Sequence, residues 1–327
     1  MGQVALERDP ASRIRGARTR IKGIVQGVGF RPFIYNLART YDLKGFVTNT
    51  SEGVHIEVEG KSDALDAFHQ AIVDEKPPLA NITSVDTVDQ PVKSHSDFTI
   101  RQSQVQEHRR TLISPDICVC QDCLAELFDP ANRRFGYPFI NCTNCGPRYT
   151  IIMDVPYDRP FTAMQPFKMC ALCEAEYNDP TDRRFHAQPN ACWDCGPVVH
   201  LWDREGQAVP GEDLISEARR LLKQGKIVAV KGLGGFHLAV DATNDDAVIR
   251  LRRRKHREEK PLAVMASSLE DIGSFAHVTE AEESLLRSHQ RPVVLLEKKP
   301  NPRIAEQVAP RNRNYGVMLP YTPLHYL

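Results

Sequence analysis

The sequence predicts a multidomain chain of the α+β and α/β classes, with two mixed domains flanking a metal-stapled middle. Three observations carry this. Residues 16–102 give strand and helix signals in the order βαββαβ. Eight cysteines between 120 and 195 recur as two identical quartets. After residue 212 the pattern turns to amphipathic helices and short buried strands around a glycine loop. The expected divisions are a polar arm over 1–14, a first domain over 15–103, tandem modules over 104–200 (120–145 and 170–195), and a last domain over 207–327.

In the first domain, residues 16–26 alternate and carry β-formers. Phe30, Phe33, Ile34, Leu37, Ala38 and Tyr41 then mark one helical face. Strands over 44–50 and 54–59 are separated by Ser51-Glu52-Gly53, a hairpin turn. Ala64, Leu65, Phe68, Ala71 and Ile72 form a second helical stripe, closed by Pro77-Pro78. Strands follow at 82–90 and 97–102. This order is that of a small ferredoxin-like sandwich.

Composition bounds the function classes. The chain has 327 residues, too many for one ordinary core. Lys+Arg and Asp+Glu both number 42, so no global field draws it to nucleic acid or a membrane, and any anion site must be local. No apolar run approaches the roughly 18 residues of a membrane helix. The N-terminus lacks the apolar core of a secretory signal. Nine cysteines without an export signal point to reduced thiols, hence metal binding or catalysis, and to a cytoplasmic location.

The middle segment is poor in apolar side chains and needs staples. Cys120 and Cys123, then Cys142 and Cys145, repeat 50 residues on as Cys170 and Cys173, then Cys192 and Cys195. Asp129-Pro130, Arg133-Arg134-Phe135 and Gly146-Pro147 recur as Asp179-Pro180, Arg183-Arg184-Phe185 and Gly196-Pro197. Two CxxC turns complete a tetrahedral Zn2+ site with no open position, so two structural zinc ions are expected, each helping to fold its module. Equal spacers favour local closure, with interleaved pairing the alternative. Cys118 has no counterpart in the second copy and reads as an incidental thiol. The paired arginines beside Asp-Pro read as local capping and ion-pair groups more readily than as RNA contacts.

Gln26-Gly27-Val28-Gly29-Phe30-Arg31 joins a strand to a helix. Its glycines allow successive amides to point inward as an anion nest at a helix N-terminus, and Arg31 adds a fixed cation. Asn49 ends the strand expected beside that loop. QGVGFR followed by GFVTNTSEGVHIEVEG resembles acylphosphatase, a ferredoxin-like hydrolase of acyl phosphates. The resemblance implies that the loop and Arg31 hold the phosphoryl group while Asn49 orients the attacking water. Pro32 departs from stand-alone acylphosphatases but suits a first helical turn.

In the last domain Leu214, Ile215, Ala218, Leu221 and Leu222 mark a helix. A buried strand over 226–231, a glycine loop, a helix near 244–255 and strands at 261–266 and 292–297 follow. Residues 231–238, KGLGGFHL, and the cation-rich run 250–261 resemble the YrdC/Sua5 family, which makes carbamoyl- or threonylcarbamoyl-adenylates from ATP. The resemblance places nucleotide and carbamoyl binding on Lys231, Gly234, Gly235, His237, Lys255, Arg257 and Lys260, with Arg313 and the end TPLHYL continuing the match. It also implies an S-x-N motif that residues up to Leu327 do not reach, so this domain and its ATP site are expected to be incomplete.

The order of the three features resembles the HypF family, carbamoyltransferases of [NiFe]-hydrogenase maturation. That implies hydrolysis of carbamoyl phosphate, adenylation of carbamate by ATP with Mg2+, and transfer by a further domain to the C-terminal cysteine of a HypE-type protein for cyanide-ligand synthesis. This chain is expected to retain the acylphosphatase step. A threonylcarbamoyl-adenylate synthase acting in tRNA modification and a non-catalytic zinc and RNA-binding scaffold are the alternative readings.

Overall fold

A computed structural model of the chain describes residues 13–101, 115–300 and 302–327. The expected polar arm lies outside the described residues up to position 12, and from Ile14 the chain is already in strand. The described residues fall into two compact units, the first drawn from positions up to 116 and from 141–196, the second from 117–140 and from 197 onward.

The first unit is built on β1 (Ile14–Ile24), α1 (Phe30–Thr40), β2 (Lys44–Thr50), β3 (Gly53–Lys61), α2 (Ser62–Asp74), β4 (Asn81–Gln90) and β5 (Phe98–Ile100). The sheet order is β4-β1-β3-β2-β5. β1 lies antiparallel to β3 and β4, with Ala17 opposite Val58, while the short β5 runs parallel to β2. The helices cover one face, because the stripes on α1 and α2 meet the alternating apolar positions of β1 and β3. Ile21, Ile34, Ile56, Phe68 and Ile72 are fully buried there, in a core that closes within residues 17–98.

The first CxxC turn of each module opens an eight-residue helix, α3 (Gln121–Phe128) after Cys120 and α4 (Ala171–Asn178) after Cys170. The 50-residue sequence repeat is thus a structural one. Asp129 Oδ1 accepts the Ala131 amide, and Asp179 Oδ1 accepts both the amide and the hydroxyl of Thr181, so each Asp-Pro closes a turn.

The second unit contains α5 (Leu214–Lys223), β6 (Val228–Lys231), β7 (Phe236–Ala239), α6 (Asp245–Lys255), β8 (Ala263–Met265), α7 (Leu269–Phe275), α8 (Glu280–Arg287), β9 (Val294–Glu297), β10 (Asn314–Met318) and α9 (Pro323–Tyr326). β10 pairs parallel with β8 and antiparallel with β9. Leu286, Leu296, Val317 and Ile272 are fully buried around this small sheet. β6 and β7 form a separate antiparallel hairpin. The glycine loop is the turn of that hairpin, closed by Gly232 N–H donating to Gly235 O at 2.9 Å. β7 escaped the sequence reading because its residues follow three glycines in a run too short for alternation to register. Among the described residues, no helix is long and apolar enough to cross a membrane.

Candidate active site

The glycine loop of the first unit does what its residues require. Gly27 and Gly29 sit at φ 72° and 75°, in the left-handed region, and Gly29 is the N-cap of α1. A Cβ on Gly27 would stand 2.6 Å from Pro147 Cβ and 2.9 Å from the Tyr157 ring, so the loop is closely covered by the zinc-module segment. Gln26 is buried and fully engaged. Its Nε2 donates to Thr50 O and Gly53 O, and its Oε1 accepts the Tyr157 amide at 3.1 Å. That side chain ties the loop to the β2–β3 turn and leaves anion contact to the backbone.

The loop opens on a small cavity of about 20 Å³, lined by Gly27, Gly29, Phe30, Arg31, Asn49 and, from the modules, Asn141, Thr143, Tyr157, His186 and Gln188. Arg31 is 7% exposed, and its Nη2 donates to Asp158 Oδ1 at 2.7 Å. The carboxylate fixes one edge of the guanidinium and leaves the rest of its five-donor fork for an anion. Asn49, 1% exposed, has neither its Nδ2 nor its Oδ1 hydrogen-bonded, and the same holds for Asn141 at 4%. Burying an amide without partners is costly, so two such groups on one cavity mark a site shaped for a polar ligand. Burial first, and the Arg31 charge second, push His186 down to about 4 against the pull of Asp158. His186 is therefore neutral near pH 7, and among the described lining residues Arg31 carries the positive charge.

Asp158 and His186 are held by the second module. Arg159 donates from its backbone to Gln188 Oε1 at 2.7 Å, from Nη1 to Gln188 O and Asn190 O at 2.7 and 2.9 Å, and from Nη2 to Phe167 O at 2.6 Å. Asn190 Nδ2 donates to Cys173 O at 2.9 Å. The sequence reading missed Asn141, Asp158 and His186. Asn141 did leave a signal, since the second copy has Ala191 at the equivalent position.

All nine cysteines are free thiols. Cys120, Cys123, Cys142 and Cys145 gather with their sulfurs within 4.8 Å of one another, and so do Cys170, Cys173, Cys192 and Cys195. The S···S separations are 4.0 Å for Cys142–Cys145, 3.8 Å for Cys170–Cys192 and Cys192–Cys195, and 3.6 Å for Cys173–Cys195. A tetrahedron with bonds of about 2.3 Å has edges of about 3.8 Å. The quartets therefore fit Zn2+ and close locally, with no interleaving. Cys118 stands outside both. Arg134 and Arg184 are only 2% and 3% exposed, which removes them from any RNA-facing surface.

In the second unit, Lys231, Gly234, Gly235 and His237 fall on the β6–β7 hairpin. The Lys231 ammonium sits 4.9 Å from the Phe236 ring centre, and His237 stacks on His325 at 6.0 Å. Lys255 ends α6, and Lys260 is exposed in the following loop. Arg257 is differently employed: Nε donates to Lys260 O at 3.0 Å and Nη2 to Pro261 O, so its guanidinium shapes the loop. The unpredicted organiser is buried Arg252. Its Nη1 donates to Arg257 O at 2.8 Å and Glu258 O at 3.0 Å, its Nη2 to Val308 O at 3.1 Å, and its Nε to Gln307 O.

Fold and sites together define a protein class, an acylphosphatase-type domain joined to paired four-cysteine fingers and a YrdC-like domain. Family models agree: acylphosphatase matches residues 17–100, the HypF finger residues 119–152 and 169–202, and the Sua5/YciO/YrdC model, described as telomere recombination, residues 220–327. The chain is 52% identical over 314 residues to carbamoyltransferase HypF2 of Cupriavidus necator, covering 95% of this chain and 39% of that one. It is 49% identical over 309 residues to carbamoyltransferase HypF of Synechocystis, covering 94% and 40%. Acylphosphatase of Thermotoga maritima is 37% identical over 89 residues, 27% of this chain and 98% of that protein. A crystal structure of full-length HypF in the phosphate- and nucleotide-bound form superposes with a TM-score of 0.91 at 49% identity, over 96% of this chain and 41% of that one. The chain belongs to the HypF family and spans about two-fifths of the length of these relatives.

Proposed function

We propose that the first unit hydrolyses an acyl phosphate, carbamoyl phosphate, at the Gly27–Arg31 loop. The observation that carries this is the buried, unpartnered carboxamide of Asn49 on the same small cavity as the Arg31 guanidinium and the left-handed glycines. Loop amides at the N-terminus of α1 and Arg31 would take the phosphoryl oxygens. Asn49 Oδ1 would accept a hydrogen bond from a water aimed at phosphorus. A new P–O bond forms to that water, the bond to the acyl oxygen breaks, and carbamate and phosphate leave. Positioning and charge stabilisation supply the rate, with no covalent nucleophile.

In the wider scheme carbamate is then adenylated by ATP with Mg2+ in the second unit. There Lys231, Gly234, Gly235, His237, Lys255 and Lys260 are the binding candidates, and Arg257 acts through the loop it shapes. The carbamoyl group passes on to a HypE-type partner in the cytoplasm. The phosphate- and nucleotide-bound state named for the full-length relative supports two such sites.

The test is hydrolysis of carbamoyl phosphate by the 327-residue chain. Asn49→Ala is expected to keep competitive inhibition by inorganic phosphate while turnover falls roughly 100-fold. Arg31→Gln is expected to lose both. Near-normal turnover in Asn49→Ala would remove Asn49 from the reaction.

A further inference from the structure

Asn141 is a buried polar side chain that the hydrolytic scheme leaves unused. It lines the cavity with Arg31 and Asn49, and neither atom of its carboxamide has a protein partner. It comes from the zinc-module segment that covers the loop, where a Cβ on Gly29 would stand 3.4 Å from Thr143 Cβ. If the loop holds the phosphoryl group, an acyl substituent in the same cavity comes within the lining that Asn141 supplies.

The two module copies give an internal control. The residue before the third cysteine is Asn141 in the first copy and Ala191, 2% exposed, in the second. The module fold therefore accepts alanine there, and the asparagine is not required to close the cysteine quartet.

We propose that Asn141 reads the acyl group, selecting carbamoyl phosphate over other acyl phosphates. This rests on the acyl-phosphate reading above. A carbamoyl group presents a carbonyl acceptor and an NH2 donor on one carbon, and a carboxamide offers the reciprocal donor and acceptor. An acetyl group has no donor and would leave Asn141 Oδ1 buried and unpaired. Sites whose polar groups go unpaired reject such analogues strongly.

The experiment compares kcat/KM for carbamoyl phosphate and acetyl phosphate in the 327-residue chain and in Asn141→Ala, with zinc content and inhibition by inorganic phosphate measured in both. The unmodified chain should favour carbamoyl phosphate roughly 10- to 100-fold. Asn141→Ala should lose that preference, mainly through carbamoyl phosphate, while phosphate inhibition and zinc content stay unchanged. An unmodified chain that shows no preference overturns the proposal without recourse to any variant. Equal losses on both substrates in Asn141→Ala also overturn it, leaving the hydrolytic reading in place. Phosphate binding without hydrolysis of either substrate would instead bring down the hydrolytic reading and this one with it.

Discussion

Removing the second metal site should disable hydrolysis at Arg31, although none of its cysteines belongs to the ferredoxin-like domain. The perturbation is Cys173→Ser with Cys192→Ser, two of four sulfurs within 4.8 Å of one another. Residues 170–195 bury little apolar surface, chiefly Phe185, Ala187 and Ala191. The Arg159 hydrogen bonds to carbonyls return about 1.5–3 kcal/mol each at best. A structural zinc is worth about 10–16 kcal/mol. The metal term therefore decides whether the span is ordered. Without it, Gln188 and Asn190 no longer hold Arg159, its neighbour Asp158 loses its station, and Arg31 loses its fixed edge. A misplacement of about 1 Å at a catalytic group costs on the order of 100-fold, so that loss in kcat/KM is expected. The assay is carbamoyl phosphate hydrolysis by the full chain beside elemental analysis, with Cys118→Ser as the control. A double variant that has lost one zinc and still turns over within about threefold of the unmodified chain refutes the reasoning.

The unmodified chain, purified without added metal, should carry close to two zinc ions; one ion, or iron, would defeat the two-site account. Asp158→Asn leaves the buried Arg31 uncompensated and should destabilise the first unit by up to about 3–5 kcal/mol in urea unfolding, while inorganic phosphate, facing a less neutralised guanidinium, inhibits more tightly. His186 is held neutral down to about 4, whereas the unfolded chain protonates it near 6.5. Its contribution to stability is therefore intact above pH 6.5 and is lost as pH falls toward 4. His186→Gln should flatten the decline in urea midpoint between about pH 7.5 and 5.5, and an unchanged slope would contradict this. Arg252→Met should lower the melting temperature of the second unit and raise the exchange rates of amides over 257–260, since its carbonyl partners lose their donor; unchanged exchange there would show that the loop holds its own shape.

The sequence by itself determined what short-range chemistry dictates. Glycines at 27 and 29 permit the left-handed turn, the stripe from Phe30 to Ala38 makes the following helix, and CxxC spacing brings sulfurs to one point. Each of these depends on neighbours within a few turns of chain, so periodicity and spacing reveal it. The 50-residue repeat likewise announced two like modules, while the choice of local closure over interleaved pairing came from the positions of the sulfurs. Only the tertiary structure decided which groups from different segments meet. Asp158 lies 127 residues from Arg31, in a stretch with no periodic signal, yet supplies its ion pair. Asn141 looked like one polar residue among many until burial left its amide unsatisfied on the same cavity as Asn49. Arg257 read as a nucleotide- and carbamoyl-binding cation, and in the fold its Nε and Nη2 donate to the carbonyls of Lys260 and Pro261. The physical reason is common to all three. A side chain's residue type states what it can bond to, but which partners remain after packing is set by contacts between distant segments, and no local pattern encodes those.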